Sequence, residues 1–181
     1  NIKASFFVAP NGQVEMKLDC QRNTRLPYLP RFGLRLFLPK GCDRLDYWGY
    51  GPWESYPDKH QASCFGHFSS SAFEQHEDYL KPQENGSHWG VQRLAVQGAG
   101  VSLLAQGEKA FSFNLSPYTQ EELTAKQHAF ELEECSDTVL CLDYGQSGVG
   151  SNSCGPELLQ KYRLEEKTFS FCLCLLPSAQ A

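Results

Sequence analysis

The sequence lacks a long apolar run, and no stretch approaches the about 20 residues that a membrane-spanning helix requires. It is also poor in positive charge: 16 Lys and Arg face 21 Asp and Glu, for a net charge of −5, and the basic residues do not cluster. Nucleic acids and anionic membranes attract clustered basic side chains, so we expect neither as a partner.

Several motifs of catalysis and metal binding are missing as well. There is no GxSxG, no phosphate-binding loop, no dinucleotide fingerprint and no CxxC pair. The five histidines are dispersed, and the cysteines lack the spacing of zinc ligands. We therefore predict no catalytic residue, no metal site and no cofactor within these 181 residues.

What the sequence does contain is enough apolar material for a core, since 41% of the 181 residues are hydrophobic and only 20% are charged. This length suits one large all-β domain or two small domains. No linker or repeat divides the chain, so we predict one domain over 1–181. Because the chain starts at Asn1 rather than methionine, we expect that domain to be a fragment of a longer polypeptide.

Cysteine is the residue type whose use calls for an explanation. The eight are Cys20, Cys42, Cys64, Cys135, Cys141, Cys154, Cys172 and Cys174. A chain this long and rich in apolar residues does not need a disulfide frame, so we expect free thiols in a reducing compartment, the cytoplasm. Cys172 and Cys174 are two residues apart, which on a strand places both on the same face.

Alternation of apolar and polar residues predicts many short strands. Val14 to Cys20 alternates, and Pro10-Asn11-Gly12 before it supplies the turn of a hairpin. Phe32 to Leu38 alternates too. The other strand candidates are RLDYWGYG (44–51), HWGVQRLAVQ (88–97), VSLLAQG (101–107), AFSFNLS (110–116), QHAFELEE (127–134), TVLCLDYG (138–145) and TFSFCLCLLP (168–177).

One helix is predicted, of about two turns, because Thr119 and Glu122 have the spacing of a capping box after a proline. Many strands with one short helix predict an all-β fold, an antiparallel β-sandwich. Residues 60–90 are the least regular part, and we expect them to form a long excursion over one end of the sandwich.

Cys154 lies in GVGSNSCGPE (148–157), among glycines and small polar residues. A nucleophilic cysteine needs a base or a positive field, and no His or Lys lies within five residues of it. The glycines and Asn152 describe a tight loop that can pass close to a ligand. A nucleophile, an ordinary loop cysteine and the wall of a ligand pocket all stay open at this point.

The aromatic string YWGYGPWESY (47–56) is a candidate platform for stacking on a sugar. Trp48 lies in a predicted strand, so we expect it in the core, whereas burial and exposure are equally compatible with Trp53. No pair of carboxylates has a spacing that marks a glycosidase centre. We expect the acids of 54–78 to be solvated surface charge. Glu84 is the exception, because PQENG places it in a turn suited to a closing loop.

Four ordered stretches together resemble one known family. They are LPRFGLRLFLPKGCDRLDYWGYGPWESYPDK (29–59), LKPQENGSHWGVQRL (80–94), FSFNLSPYTQEEL (111–123) and DYGQSGVGSNSCGPE (143–157). They are similar to the C-terminal, small-chain domain of the large family 2 β-galactosidases, where the first stretch ends in WxGxGPxExYxDR. Here Lys59 stands in place of the usual arginine.

The resemblance implies a large antiparallel sandwich, a supersandwich like that of galactose mutarotases, that completes the sugar pocket and supports assembly. It implies a retaining hydrolase of terminal β-D-galactose in galactosides such as lactose. The two catalytic glutamates, with magnesium and sodium, would then lie on a separate TIM-type barrel, the partner of this domain. The isolated chain is expected to be inactive, and the whole enzyme to be a homo-oligomer.

The resemblance also assigns the pocket rim. Cys154, with Asn152 and Ser153 before it, stands where some members carry a tryptophan that stacks on the sugar. Glu84, Asn85 and Gly86 match a loop that borders the same pocket. Gly51, Pro52 and Glu54 match a signature turn that is expected to be structural.

Three other interpretations compete with this one. The chain could be a stand-alone binding module for galactose-type sugars, a mutarotase-like isomerase that uses a His and Glu pair, or an oligomer interface. An interface role is compatible with the first reading, whereas a binding module would bind lactose without a catalytic partner.

Overall fold

The computed structural model describes residues 1–150 and 155–179, which form an all-β sandwich. In this part of the chain the strands are β1 (Ile2–Val8), β2 (Val14–Gln21), β3 (Arg31–Pro39), β4 (Arg44–Gly51), β5 (Cys64–Ser71), β6 (Ser87–Gly98), β7 (Val101–Ser116), β8 (Asp137–Gln146) and β9 (Thr168–Ala179). One α-helix, α1 (Gln120–Ala125), and two 3₁₀ turns at 129–131 and 160–162 complete the described structure. No described helix is long and apolar enough to cross a membrane.

All pairings between these strands are antiparallel. The main path runs β1-β2-β9-β7-β6-β4-β5, and β8 joins β7 to β3. The long β7 connects the layers, since Val101–Gly107 pairs with β9 and Ser112–Ser116 pairs with β8. β3 and β8 thereby face β9 across the core, where Phe32 contacts Phe169 with 4.9 Å between ring centroids.

The burial of alternate residues confirms the predicted strands over Val14 to Cys20 and Phe32 to Leu38. Met16, Leu18 and Cys20 of β2 are buried, and the intervening polar residues point outward. Antiparallel pairing of β1 with β2 forms the expected hairpin, and Gly12 adopts a positive φ of 84° in its turn. Leu34, Leu36 and Leu38 of β3 are half-buried and pack against the core.

The helix begins where the sequence predicts it. The Thr119 side chain accepts a hydrogen bond from the backbone N–H of Glu122, which satisfies a free donor of the first turn. Leu123 is the helical residue that is buried, so α1 packs through a single apolar side chain.

The predicted strand over 127–134 is wrong. Its centre forms a 3₁₀ turn, Ala129–Glu131. The Glu131 carboxylate accepts hydrogen bonds from the backbone N–H groups of Gln127 and His128, both at 2.9 Å. These local bonds compete with strand pairing and bend the backbone, and Phe130 stays exposed.

Two further expectations need correction in the region of β4 and β5. The excursion expected over 60–90 contains a regular strand, β5, which pairs with all of β4. Trp48 is 46% exposed rather than buried, because the register of β4 turns Leu45 and Tyr47 into the core. Its ring stacks on His67 of β5, with 5.1 Å between centroids. Trp53, left open by the sequence, is exposed.

Candidate functional site

The four matched stretches meet at one end of the sandwich. The signature turn (residues 51–59) begins at the last residue of β4 and lies between two other segments. One is the ENG turn (residues 84–86), which leads into β6. The other is the glycine loop, whose described part is 147–150 and follows β8. Side chains of the signature turn bind the backbone of both neighbours, so the three segments form one unit.

Glu54 attaches the signature turn to the ENG turn. Its carboxylate accepts a hydrogen bond from the backbone N–H of Gly86 at 3.0 Å and from the Tyr56 hydroxyl at 3.2 Å. The Lys59 ammonium and the Tyr79 hydroxyl donate to its other oxygen. The side chain is only 6% exposed, so the expected solvated surface charge is wrong for Glu54.

The electrostatics of Glu54 favour its ionised form. Burial opposes ionisation, but the hydrogen bonds from Lys59, Tyr79 and Gly86 outweigh it and lower the pKa of Glu54. A buried carboxylate with four donors is a structural group rather than a proton donor. The sequence-based reading of the signature turn as structural therefore agrees with these contacts.

Asp58 attaches the same turn to the glycine loop. Its two carboxylate oxygens accept hydrogen bonds from the backbone N–H groups of Val149 and Gly150, each at 3.0 Å. A Cβ at Gly148 would lie 2.4 Å from the Asp58 carboxylate, so this approach requires glycine. Asp58 thus determines where the glycine loop leaves the sheet.

Ser147 holds the start of the glycine loop through contacts with residues other than those of the signature turn. Its hydroxyl donates to the Leu29 carbonyl at 2.7 Å and accepts from the Leu164 N–H at 3.0 Å. Its own N–H donates to the Pro30 carbonyl at 2.9 Å. No local pattern marks this serine, because its partners Leu29 and Leu164 are distant in the chain.

The ENG turn is held by its own buried side chain. Asn85 accepts from the Glu77 N–H at 3.0 Å and donates to the Gln83 carbonyl at 2.9 Å. The side chain of Asn114, from the third matched stretch, donates to the Asn85 carbonyl. Gly86 has a positive φ of 69°, and a Cβ there would lie 2.5 Å from the Gln75 carbonyl oxygen.

Glu84 belongs to a charge cluster in which Asp143 is buried and Arg31 and Glu84 are half-buried. Arg31 donates to Glu84 at 3.1 Å and, through two nitrogens, to Asp143 at 2.7 and 3.0 Å. One guanidinium therefore serves two carboxylates. The second carboxylate oxygen of Glu84 and the side-chain oxygen of Gln146 are buried without a hydrogen-bond partner.

Aromatic rings flank the signature turn. Trp89 stacks on His60 with 4.7 Å between centroids and lies 5.0 Å from the Tyr50 ring. The Ser55 hydroxyl accepts from the backbone N–H of Trp89 at 2.9 Å and donates to the Tyr50 carbonyl. These contacts bind the first residues of β6 to the signature turn.

The predicted rim residues divide into two groups. Glu84, Asn85 and Gly86 lie together in the ENG turn, where the side chains of the first two bind other parts of this domain. Asn152, Ser153 and Cys154 lie outside the described residues. Contact of either group with a sugar stays a prediction.

The buried histidine next to this region has a structural environment. His88 lies 2.9 Å from the Tyr47 hydroxyl and stacks on Phe113, and burial lowers its pKa to about 4. It is therefore neutral near pH 7. Over residues 1–150 and 155–179, no group of three or more His, Cys, Asp or Glu side chains is placed to hold a metal ion.

Comparison with known proteins gives this geometry a context. Residues 1–175 match the family described as Beta galactosidase small chain. The chain is 52% identical over 159 residues to a β-galactosidase of Actinobacillus pleuropneumoniae, which covers 88% of this chain and 15% of that protein. It is 38% identical over 167 residues to a β-galactosidase of Staphylococcus xylosus, covering 92% of this chain and 17% of that protein.

The fold defines an antiparallel β-sandwich domain, and the family match extends over residues 1–175. More narrowly, the chain belongs to the β-galactosidase small-chain family. It spans 15% and 17% of the length of the two relatives named above, so it corresponds to one region of those proteins.

Proposed function

We propose that this chain is the domain of a β-galactosidase that completes the sugar pocket and supports assembly, while the catalytic glutamates lie on another domain. The substrates are terminal, non-reducing β-D-galactosides such as lactose. The observation that carries the proposal is the pair of anchors on the signature turn. Glu54 holds the ENG turn and Asp58 holds the glycine loop, the two segments expected to border the pocket.

The chemistry would be shared between two domains. Two carboxylates on a TIM-type barrel would perform a retaining displacement, and magnesium, with sodium, would bind there. The present chain would orient the leaving-group side of the substrate and exclude water from the pocket. Cysteine at 154 offers a much smaller surface than the tryptophan of some family members, so the pocket would hold the leaving-group sugar differently.

Two further properties belong to the same proposal. We propose a cytoplasmic homo-oligomer for the parent enzyme. All seven cysteines among the described residues are free thiols, which supports a reducing compartment.

The proposal that the catalytic carboxylates lie on another domain can be tested on the purified chain, freed of host β-galactosidase. It should release no nitrophenol from nitrophenyl galactoside, because the bond-breaking carboxylates are elsewhere. Turnover that co-purifies with the chain and tracks its concentration would contradict the proposal.

The anchoring role is testable by Asp58→Asn in the intact enzyme. An amide keeps one acceptor but replaces the other with an N–H₂ group, which repels the N–H of Val149 or Gly150. We expect KM for lactose to rise roughly five-fold or more, a loss of about 1 kcal/mol in binding. kcat should stay within about two-fold, because the reacting groups are untouched.

Asp78→Asn is the matched control, since its side chain is 87% exposed and pairs with His76. It should leave both constants unchanged. A collapse of kcat with KM intact in Asp58→Asn would show that this end of the sandwich acts on the chemical step instead of on binding.

A further inference from the structure

The outward face of β4 and β5 becomes aromatic next to the signature turn. At the far end of the two strands, Asp46 lies opposite Ser69 and Arg44 lies opposite Ser71, so the face is polar there. Toward the signature turn the outward positions carry rings, in the cross-strand pairs Trp48–His67 and Tyr50–Phe65. The solvent side of a half-buried antiparallel sheet is expected to be polar, so this change calls for an explanation.

Two rings from neighbouring segments extend this surface. Trp89, near the start of β6, lies 5.0 Å from the Tyr50 ring, and His60 of the loop before β5 lies 5.5 Å from it. Phe65 contacts the same tyrosine edge-on, at 5.9 Å between centroids. We call the whole set the aromatic face, and it consists of Trp48, Tyr50, His60, Phe65, His67 and Trp89.

The aromatic face is partly open to solvent and internally braced. Trp48 and Phe65 are each 46% exposed, whereas Leu45 and Tyr47 fill the core from the other side of β4. The Trp48 ring is supported by His67, which stacks on it at 5.1 Å with 19° between the ring planes. Such stacking fixes the rings before a ligand arrives, which reduces the entropy cost of binding. Large exposed rings grouped outside the core mark a binding surface.

The polar groups at this face suit a neutral ligand rich in hydroxyl groups. All but one of its rings carry a nitrogen or a hydroxyl group that can form hydrogen bonds. The Asp46 carboxylate borders the face, at 2.8 Å from the His67 ring nitrogen, and accepts from the Ser69 hydroxyl at 2.9 Å. Arg93 lies opposite Trp48 on β6 and interacts electrostatically with Asp46. One anion and one cation therefore adjoin the rings, and together they favour neither sign of ligand charge.

We propose that the aromatic face is a binding surface for a neutral, β-linked oligosaccharide. Pyranose rings with equatorial substituents present C–H groups on both faces, and these groups stack on aromatic rings. The rows of Trp48 and Tyr50 are two residues apart on β4, roughly 7 Å, so one oligosaccharide can contact both rows. The cores of protein interfaces are depleted of charged groups, whereas Asp46 and Arg93 both adjoin Trp48, which favours the saccharide over a protein partner. The inference goes beyond the proposed function and requires no galactosidase activity.

Calorimetric titration of the intact enzyme with cellotetraose tests this surface. This β-linked glucose tetramer is neutral, has equatorial ring substituents and contains no galactose. Excess isopropyl thiogalactoside in the cell and in the syringe keeps a galactose pocket occupied. We expect saturable binding to wild type. Trp48→Ala and Phe65→Ala should each raise Kd about five-fold, which corresponds to about 1 kcal/mol for each ring removed.

Phe37→Ala is the matched control for Phe65→Ala. Phe37 is also an outward phenylalanine on a strand and is 52% exposed, but it lies on β3 in the opposing layer. Its removal should change Kd by less than about two-fold. Trp48→Phe keeps an aromatic ring and should retain most of the affinity that Trp48→Ala loses.

The absence of cellotetraose binding to wild type, or an equal loss in Phe37→Ala, would overturn the inference. A smaller oligomer of Trp48→Ala or Phe65→Ala in gel filtration would also overturn it, because the face would then be a protein interface. Hydrolysis of nitrophenyl galactoside is measured in parallel. An enzyme inactive on galactosides that still binds cellotetraose would refute the proposed function and leave this surface in place, whereas an active enzyme that binds none would refute the surface alone.

Discussion

Glu84 is the residue whose charge state depends most directly on its neighbours. Burial raises its pKa, the Arg31 guanidinium opposes that shift, and the Asp143 carboxylate adds to it. The net direction is upward, because burial is the largest of these effects and Arg31 is shared with Asp143. Hydrogen bonds from the Arg31 and Gln146 side chains also favour the ionised carboxylate, but they do not reverse the shift.

We expect Glu84→Gln to keep the free energy of unfolding within about 1 kcal/mol of wild type at pH 7. The amide oxygen can still accept from Arg31, and the substitution removes a negative charge whose burial is unfavourable. Glu84→Ala should cost about 2 kcal/mol, because it removes the partner of a half-buried guanidinium nitrogen. Urea unfolding measures both, and equal losses in the two variants would contradict this account.

The stabilities of wild type and of Glu84→Gln should also depend differently on pH. The folded-state pKa of Glu84 is above its unfolded value of about 4.3, so the native state binds the proton more tightly. The stability that protonated Glu84 gives the folded state is fully present below this unfolded-state pKa. It is lost as the pH rises through the folded-state pKa. Glu84→Gln lacks the effect, so its stability relative to wild type should increase from pH 4.5 to pH 7. A constant difference would show that Glu84 does not titrate differently in the two states.

At the scale of elements, the ENG turn depends on the conformation and the size of one residue. Gly86 combines a positive φ with a close approach to the Gln75 carbonyl. Gly12, in the turn between β1 and β2, has a positive φ of 84° and open space around it. Substitutions at these two glycines can therefore distinguish the cost of a positive φ from the cost of a steric clash.

Gly12→Ala should lower the free energy of unfolding by roughly 1 kcal/mol, the cost of a side chain at positive φ. Gly86→Ala should cost at least about 1 kcal/mol more, because its Cβ would also displace a backbone carbonyl. Urea denaturation of the two variants measures the difference. Equal costs would show that the ENG turn adjusts freely, which its hydrogen bonds to Glu54 and Asn114 argue against.

At the scale of the whole molecule, β7 makes the two layers interdependent. It pairs with β6 along both halves, with β9 through its first half and with β8 through its second. Neither layer can unfold without breaking the ladder of the other. We expect one cooperative transition.

A substitution in β8, a strand that carries no tryptophan, tests this cooperativity through tryptophan fluorescence. All three tryptophans lie in or between β4 and β6, whereas Leu140 is buried in β8. Leu140→Ala should cost about 3 kcal/mol and shift the unfolding midpoint of tryptophan fluorescence and that of circular dichroism together.

Leu80→Ala, at a position 92% exposed, is the control and should change stability by less than about 0.5 kcal/mol. Fluorescence that is unaffected by Leu140→Ala while circular dichroism shifts would show that the layers unfold separately.

The sequence by itself determined the features that depend on neighbouring residues. The alternation of β2, the Gly12 turn and the Thr119 cap each require side chains only two to four positions apart, and all three are confirmed. The ordered motifs likewise predicted the family and the all-β class.

Tertiary structure decided what depends on the path of the whole chain. β5 forms because β4 offers it an edge, and the register of β4 exposes Trp48 in favour of Tyr47. Glu54 meets Gly86 across 32 residues, and Asp58 meets Gly150 across 92. Hydrogen bonds over such separations require both segments to be positioned by their sheets, and no local pattern encodes that arrangement.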